Sequence, residues 1–233
     1  MIPVFIGFDP RETIAYHVLE QSIINRTTAP VAIIPLAGRM LRGFDGQRDG
    51  TNGFIYSRFL VPELMDYRGW AVYCDGDMLL RDDLLKLWDL RDNSKAVMVV
   101  KHEYHTKHAR KLIGTPMEAN NTDYPRKNWS SLILWNAGHP RNRLITREYV
   151  SEAPGFALHR FEWLGDDLIG ELPREWNWLV GEYDPYPDAK MIHFTCGAPC
   201  FSHYWKGDYA AEWHGMKEEV NLALDKSHLM GVA

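Results

Sequence analysis

The sequence predicts a single-domain α/β fold in which a mostly parallel sheet is flanked by helices. Three observations carry that expectation. Short continuous apolar runs alternate with helical stretches, the pattern of strands buried on both faces by crossover helices. The first apolar run leads straight into a helix-start signal, Asp9-Pro10-Arg11-Glu12. Finally, 233 residues, 45% of them hydrophobic and 24% charged, suit one large domain over residues 1–233, with 201–233 as a C-terminal helical extension.

The elements follow in order. Residues 3–8 read as a buried strand. In the turn after it, Asp9 can cap a helix, Pro10 suits the first helical position and Glu12 can close a capping box. That helix would turn Ile14, Val18 and Ile23 inward and stop near Asn25. Residues 31–36 form a second buried strand, and a glycine-rich loop over 43–53 leads to a helix over 56–67. Residues 70–74 make a third strand, 83–90 a helix and 96–100 another strand. The stretch 102–128 is polar and irregular, a length without periodicity that usually marks function or mobility. Strand character resumes at 132–135. It is followed by a modest helix at 146–152, a late strand at 191–194 and a last helix over 208–224.

Charge and composition exclude several classes. A net charge of −5 gives no general attraction to nucleic acid or an anionic membrane. It would also repel a diphosphate unless a metal or local Arg and Lys reversed the field. Cys74, Cys196 and Cys200 are an odd, sparse set that suits a reducing cytoplasm, and an isolated C-x3-C pair does not make a zinc site. The N-terminus lacks a basic region and cleavage site, and no apolar run approaches the ~20 residues of a membrane span. A soluble, cytoplasmic protein is expected. No phosphate loop or G-x-G-x-x-G occurs, which disfavours a kinase or a dinucleotide enzyme.

Asp75-Gly76-Asp77 closes the third strand. In parallel α/β sheets ligands bind beyond the carboxyl ends of strands, and Mg²⁺ or Mn²⁺ often shares one or two carboxylates with substrate phosphates. Gly76 would let the backbone turn so that both acids serve one ion. A solvated turn, or Asp77 as a helix cap, is the plainer alternative.

The order of these motifs is similar to that of the GT-A glycosyltransferases, closest to the family-8-like group that uses UDP-sugars and retains anomeric configuration. The motifs are the first strand with Asp9-Pro10-x-Glu12, then Ser57-Arg58-Phe59, then Gly69 through Asp77, and His193-Phe194-Thr195-x-Gly197. The resemblance spans roughly residues 3–200 and implies a GT-A, Rossmann-like fold. It implies Mn²⁺ or Mg²⁺ on Asp75, Asp77 and His193, and a nucleotide site at Phe8, Asp9 and Tyr16, with Asp9 as a plain helix cap the alternative. Arg58 would approach the diphosphate or sugar, the alternative being a surface salt bridge. Asp75 and Gly76 would border the donor. Residues 127–136 resemble the family's strand near the donor sugar. One register puts Trp129 at the family's asparagine position and a shift by one puts Asn128 there; Asn128 and Ser130 are the candidate sugar contacts. The segment around Gly165-Asp166-Asp167 resembles an acidic motif beside the anomeric carbon, so either Asp166 or Asp167 could act there, together with Arg58. Leu172-Pro173-x-x-Trp176-Asn177 resembles the pattern before the final strand. The family's lysine after the late histidine and glycine is missing between His193 and Cys200, and Lys206 is the nearby substitute in sequence.

Two further features bear on function. His102, His105 and His108 have a spacing in which two could share a metal, or they could belong to an acceptor-contacting or solvated loop with the basic residues Lys101, Lys107, Arg110 and Lys111. Trp129, Trp163, Trp176 and Trp178 could stack on sugars, although packing is the default role for tryptophan. The expected function is metal-dependent transfer of a hexose from a nucleotide sugar, a UDP-sugar by resemblance, to an acceptor hydroxyl with retention. A nucleotidyltransferase and a non-catalytic sugar-nucleotide or glycan-binding protein are the alternatives.

Overall fold

A computed structural model describes residues 1–41, 44 and 52–222. Most of the glycine-rich loop expected at 43–53, and the part of the C-terminal extension beyond residue 222, lie outside the described residues. In chain order the strands are β1 Ile2–Gly7, β2 Val31–Leu36, β3 Trp70–Cys74, β4 Met78–Leu80, β5 Val97–Val99, β6 Arg110–Lys111, β7 Ala119–Asn120, β8 Leu132–Asn136, β9 Ile169–Glu171, β10 Trp178–Leu179 and β11 Met191–His193. The helices are α1 Thr13–Arg26, α2 Val61–Leu64, α3 Leu84–Trp88, α4 Arg147–Glu152, α5 Gly155–His159 and α6 Ala210–Leu222.

The main sheet has the order β2-β1-β3-β8-β5-β9. All neighbours are parallel except β8, which runs against both β3 and β5. The mostly parallel α/β expectation is therefore met, with one reversed strand. Val4, Ile6, Val72 and Val99 are fully buried, and each such side chain is worth about 1.5–3 kcal/mol on removal from water. One face packs on Phe59, Leu158 and Phe161. The other packs on Leu19 and Ile23 of α1 and on Leu84, Leu87 and Trp176. A smaller sheet, β10-β11-β4, is covered by a separate apolar cluster in which α6 contributes Trp213 and Met216.

Several elements differ from the sequence reading. β2 is an edge strand and not a buried one; Pro35, which lacks an N–H, is tolerated at that edge. The helix expected over 56–67 is a 3₁₀ turn, Ser57–Leu60, followed by the short α2. Pro62 sits in the first turn of α2, and Asp66 and Tyr67 take positive φ and end it. The cap of α1 is Glu12, with no side-chain cap bond, while Asp9 accepts instead from the Arg11 and Gly53 amides. β4, β9 and β10 are two or three residues long, too short to show periodicity. The late strand β11 belongs to the smaller sheet, and that placement builds the site.

Candidate active site

β3 delivers Asp75 to the carboxyl edge of the sheet, and the Asp75 amide donates to the Ser131 carbonyl at 2.9 Å. At Gly76 the loop passes so close to β1 that an added Cβ would collide with the Gly7 carbonyl oxygen. Only glycine permits that approach. The chain then turns back as β4, which pairs antiparallel with β11 and sets His193 opposite Met78. The Phe194 amide donates to the Asp77 carbonyl at 3.0 Å. As a result, one potential ligand atom from each of Asp75, Asp77 and His193 lies within 4.8 Å of the others.

Each member of the triad is oriented by a defined partner. His193 Nδ1 lies 3.1 Å from Asn177 Oδ1, and Asn177 Nδ2 donates to Ser131 Oγ at 2.8 Å. Ser131 Oγ in turn donates to the Asn128 carbonyl at 2.7 Å. This chain of bonds assigns the proton of His193 to Nδ1 and leaves the Nε2 lone pair facing Asp77 Oδ1, 3.4 Å away. Asp77 Oδ1 is buried and has no hydrogen-bond partner. Asp75 accepts from the Tyr73 hydroxyl at 2.6 Å and pairs with Arg58 at 2.9 Å. Arg58 also donates to the Ser130 and Ile55 carbonyls.

The electrostatics are those of a site short of positive charge. Burial pushes the Asp75 carboxyl above its ordinary range; Arg58 opposes that shift and Asp77 adds to it. Glu12, buried nearby, is pushed up to about 8 by burial and then by the charges of Asp77, Asp9 and Asp75. A divalent cation fits this donor set: two carboxylates, one orphaned oxygen and an imidazole lone pair aimed at it.

Arg58, Asp75, Asp77, Asn128, Ser130 and His193 line one cavity of about 440 Å³, within the usual size of a small-ligand site. Phe8, Asp9, Tyr16 and Gly76 lie beside it but do not line it. Phe8 packs edge-on against Tyr16, and Asp9 is held by Arg11. Asp166 and Asp167 are not brought to the cavity either. They form a 3₁₀ turn before β9, where Asp166 is exposed and pairs with Arg126. The wall carries instead Gly155, Phe156 and His159 of α5, followed by Arg160. Ser130 Oγ is 2.7 Å from His159 Nδ1, and burial drives that imidazole down to about 3, so it is neutral.

Sequence reasoning missed Glu12 as a cavity residue, and it also missed Ser131 and His159; it named Lys111 only within a basic cluster that could meet an acceptor. Asn177 stood in a recognised motif, but its bond to His193 shows only in three dimensions. The three spaced histidines separate: His102 bonds Tyr183, His105 bonds Asp123 and His108 bonds the Gly181 carbonyl. Among the described residues, the triad is the only grouping of His, Cys, Asp and Glu compact enough for an ion. Trp176 is core, Trp163 packs on Trp135 and Phe59, and Trp178 packs on Tyr183 and Tyr186.

Residues 18–138 match the model of glycosyl transferase family 8. Protein CDI of Arabidopsis thaliana is 42% identical over 229 residues, covering 94% of this chain and 86% of that protein. The chain belongs to glycosyl transferase family 8. Solved structures agree on the GT-A fold at low identity. The glycosyltransferase GlyE of Streptococcus pneumoniae has a TM-score of 0.62 at 11% identity over 93% of this chain and 60% of its own. The bifunctional glycosyltransferase WbbM has 0.59 at 17% identity over 92% of this chain and 51% of its own. The galactosyltransferase LgtC has 0.55 at 12% identity over 94% of this chain and 96% of its own. The family 8 chain thus spans about half of WbbM, three-fifths of GlyE and nearly all of LgtC. No helix among the described residues is long and apolar enough to cross a membrane.

Proposed function

We propose that this family 8 glycosyltransferase is metal-dependent and moves a hexose from a UDP-sugar to an acceptor hydroxyl, on a glycan or another molecule, with retention of configuration. The observation that carries the metal assignment is the orphaned Asp77 Oδ1 facing the lone pair of His193 Nε2 beside Asp75. Asp75, Asp77 and His193 would hold Mn²⁺ or Mg²⁺, which when bound supplies Lewis-acid stabilisation of the departing diphosphate. Asn177 keeps His193 in the tautomer a ligand needs. Arg58 adds a fixed positive charge and holds Asp75 in place.

Within this proposal Phe8 and Asp9, just after β1, and Tyr16 of α1 border the nucleotide. Asn128 and Ser130 border the sugar from the cavity wall. Gly76 allows the close approach of β1 to the acidic loop. The acidic role beside the anomeric carbon would require Asp166 or Asp167 to leave the surface pairing with Arg126. Three free cysteines and the supply of nucleotide sugars support a cytoplasmic setting.

The test is the release of UDP from UDP-glucose, UDP-galactose and UDP-N-acetylglucosamine with Mn²⁺ or with chelator. Release with at least one donor, lost on chelation and in Asp77→Asn, is expected. Turnover indifferent to chelator and to Asp77→Asn would sink the metal reading.

A further inference from the structure

Lys111 has an unusual position among the cations that line the cavity. Arg58 is committed to Asp75. Arg160 lies over the Phe156 ring and 4.0 Å from Glu162. Among the described residues, Lys111 has no carboxylate within ion-pair distance. Its neighbour Arg110 pairs with Glu118, yet Lys111 itself faces the cavity that holds Asp75, Asp77 and His193. Burial lowers the pKa of His159 and of Lys127, and the charge of Lys111 adds to both shifts. A half-buried ammonium with no ion-pair partner is unfavourable unless an anion completes it.

The backbone fixes the turn that carries Lys111. Lys111 ends β6, and the next residue, Leu112, is buried in a left-handed conformation with φ of 55°. That geometry is costly for a residue with a Cβ. Hydrogen bonds hold it: the Leu112 amide donates to the Cys196 carbonyl at 2.7 Å, and the Ile113 amide donates to the Tyr204 hydroxyl at 3.0 Å. The turn is thereby pinned to the segment that follows His193, and Thr195 of that segment lines the same cavity. Lys111 and the triad are thus tied to one piece of chain. Lys206, the substitute nearest in sequence, is exposed and does not line the cavity.

We infer that Lys111 pairs with the diphosphate of the sugar nucleotide and supplies the mobile positive charge that Arg58, held by Asp75, does not. This inference rests on the donor assignment proposed above. The cation comes from the irregular region between β5 and β8, some eighty residues before His193 in the sequence.

The experiment measures binding of UDP and of uridine, each with Mn²⁺, to the unaltered chain, to Lys111→Met and to Lys111→Arg. Lys111→Met should weaken UDP by about 10- to 100-fold, the range for a hydrogen bond to a charged partner. Uridine should change less than about twofold, and Lys111→Arg should recover most of the UDP affinity. Unchanged UDP binding in Lys111→Met, or equal losses for UDP and uridine, would overturn the assignment. If the unaltered chain binds no UDP with Mn²⁺, the donor assignment itself falls and takes this inference with it. Normal UDP binding with an indifferent Lys111→Met removes Lys111 alone.

Discussion

The two sides of the cavity are built in different ways. The floor, with Asp75, Asp77 and His193, is fixed by backbone: the register of β4 against β11, the contact of Gly76 with Gly7, and the amide of Phe194 on Asp77. The wall formed by residues 104–128 is held largely by side chains, with the Leu112 amide on the Cys196 carbonyl as a backbone tie. Buried Glu182 gathers it, accepting from Thr106 Oγ1 at 2.6 Å, from the Lys107 amide at 2.8 Å and from Asn121 at 3.2 Å. Leu112, Arg126 and Asn128 in the wall all take positive φ. A backbone-built floor holds ligand atoms rigidly, while a wall hung on one carboxylate can vary in sequence and shape without disturbing them.

Perturbing the floor should have the largest effect. Gly76→Ala forces β1 and the acidic loop apart and should cost about 3 kcal/mol in denaturant unfolding, with loss of Mn²⁺ binding. A fully stable, metal-binding Gly76→Ala would show that the contact with Gly7 does not hold the loop. Asn177→Ala removes the partner of His193 Nδ1 and should lower Mn²⁺ affinity by about 10- to 100-fold while the fold survives. Equal affinity by direct titration would remove Asn177 from the orienting chain.

The wall should break separately. Glu182→Gln replaces a carboxyl that accepts several bonds and should destabilise the protein by about 1–3 kcal/mol. UDP binding should weaken while Mn²⁺ binding stays near its original value. Parallel losses of both would mean that floor and wall are one unit. Taken per pH unit, the smallest effect is expected with acid. His102 is buried, and burial drives its imidazole down to about 3, with His193 adding to the shift. Its folded value is depressed, so its contribution is complete above about pH 6.5 and is lost as pH falls towards 3. His102 and His159, both driven down by burial, should each add up to ~1.4 kcal/mol per pH unit to the slope, and His102→Phe should remove the share of His102 in urea melts between pH 4 and 6.5.

The same contrast explains what the sequence disclosed. The strands at 2–7, 70–74 and 97–99 were legible because each is a continuous apolar run, and Asp75-Gly76-Asp77 was legible because it stands at the end of one. His193 was reached through motif order. The reversed direction of β8, the membership of β11 in the smaller sheet and the bond from Asn177 to His193 depend on long-range pairing, which no local pattern encodes. Lys111 and His159 come from an irregular segment and a five-residue helix, where neither period nor spacing marks a cavity face. Asp166 and Asp167 looked like site residues because of their motif, yet Arg126 holds Asp166 at the surface.

The most direct measurement is thermal unfolding of the unaltered chain and of Asp77→Asn with UDP, UDP-glucose, UDP-galactose, UDP-N-acetylglucosamine and GDP-mannose, each with and without Mn²⁺. A ligand at about a hundred times its dissociation constant adds roughly 2.7 kcal/mol, which should raise the midpoint by roughly 5–10 °C. The account predicts such a rise for uridine nucleotides only when Mn²⁺ is present, and none in Asp77→Asn. A rise of equal size without Mn²⁺, or one retained in Asp77→Asn, would contradict it.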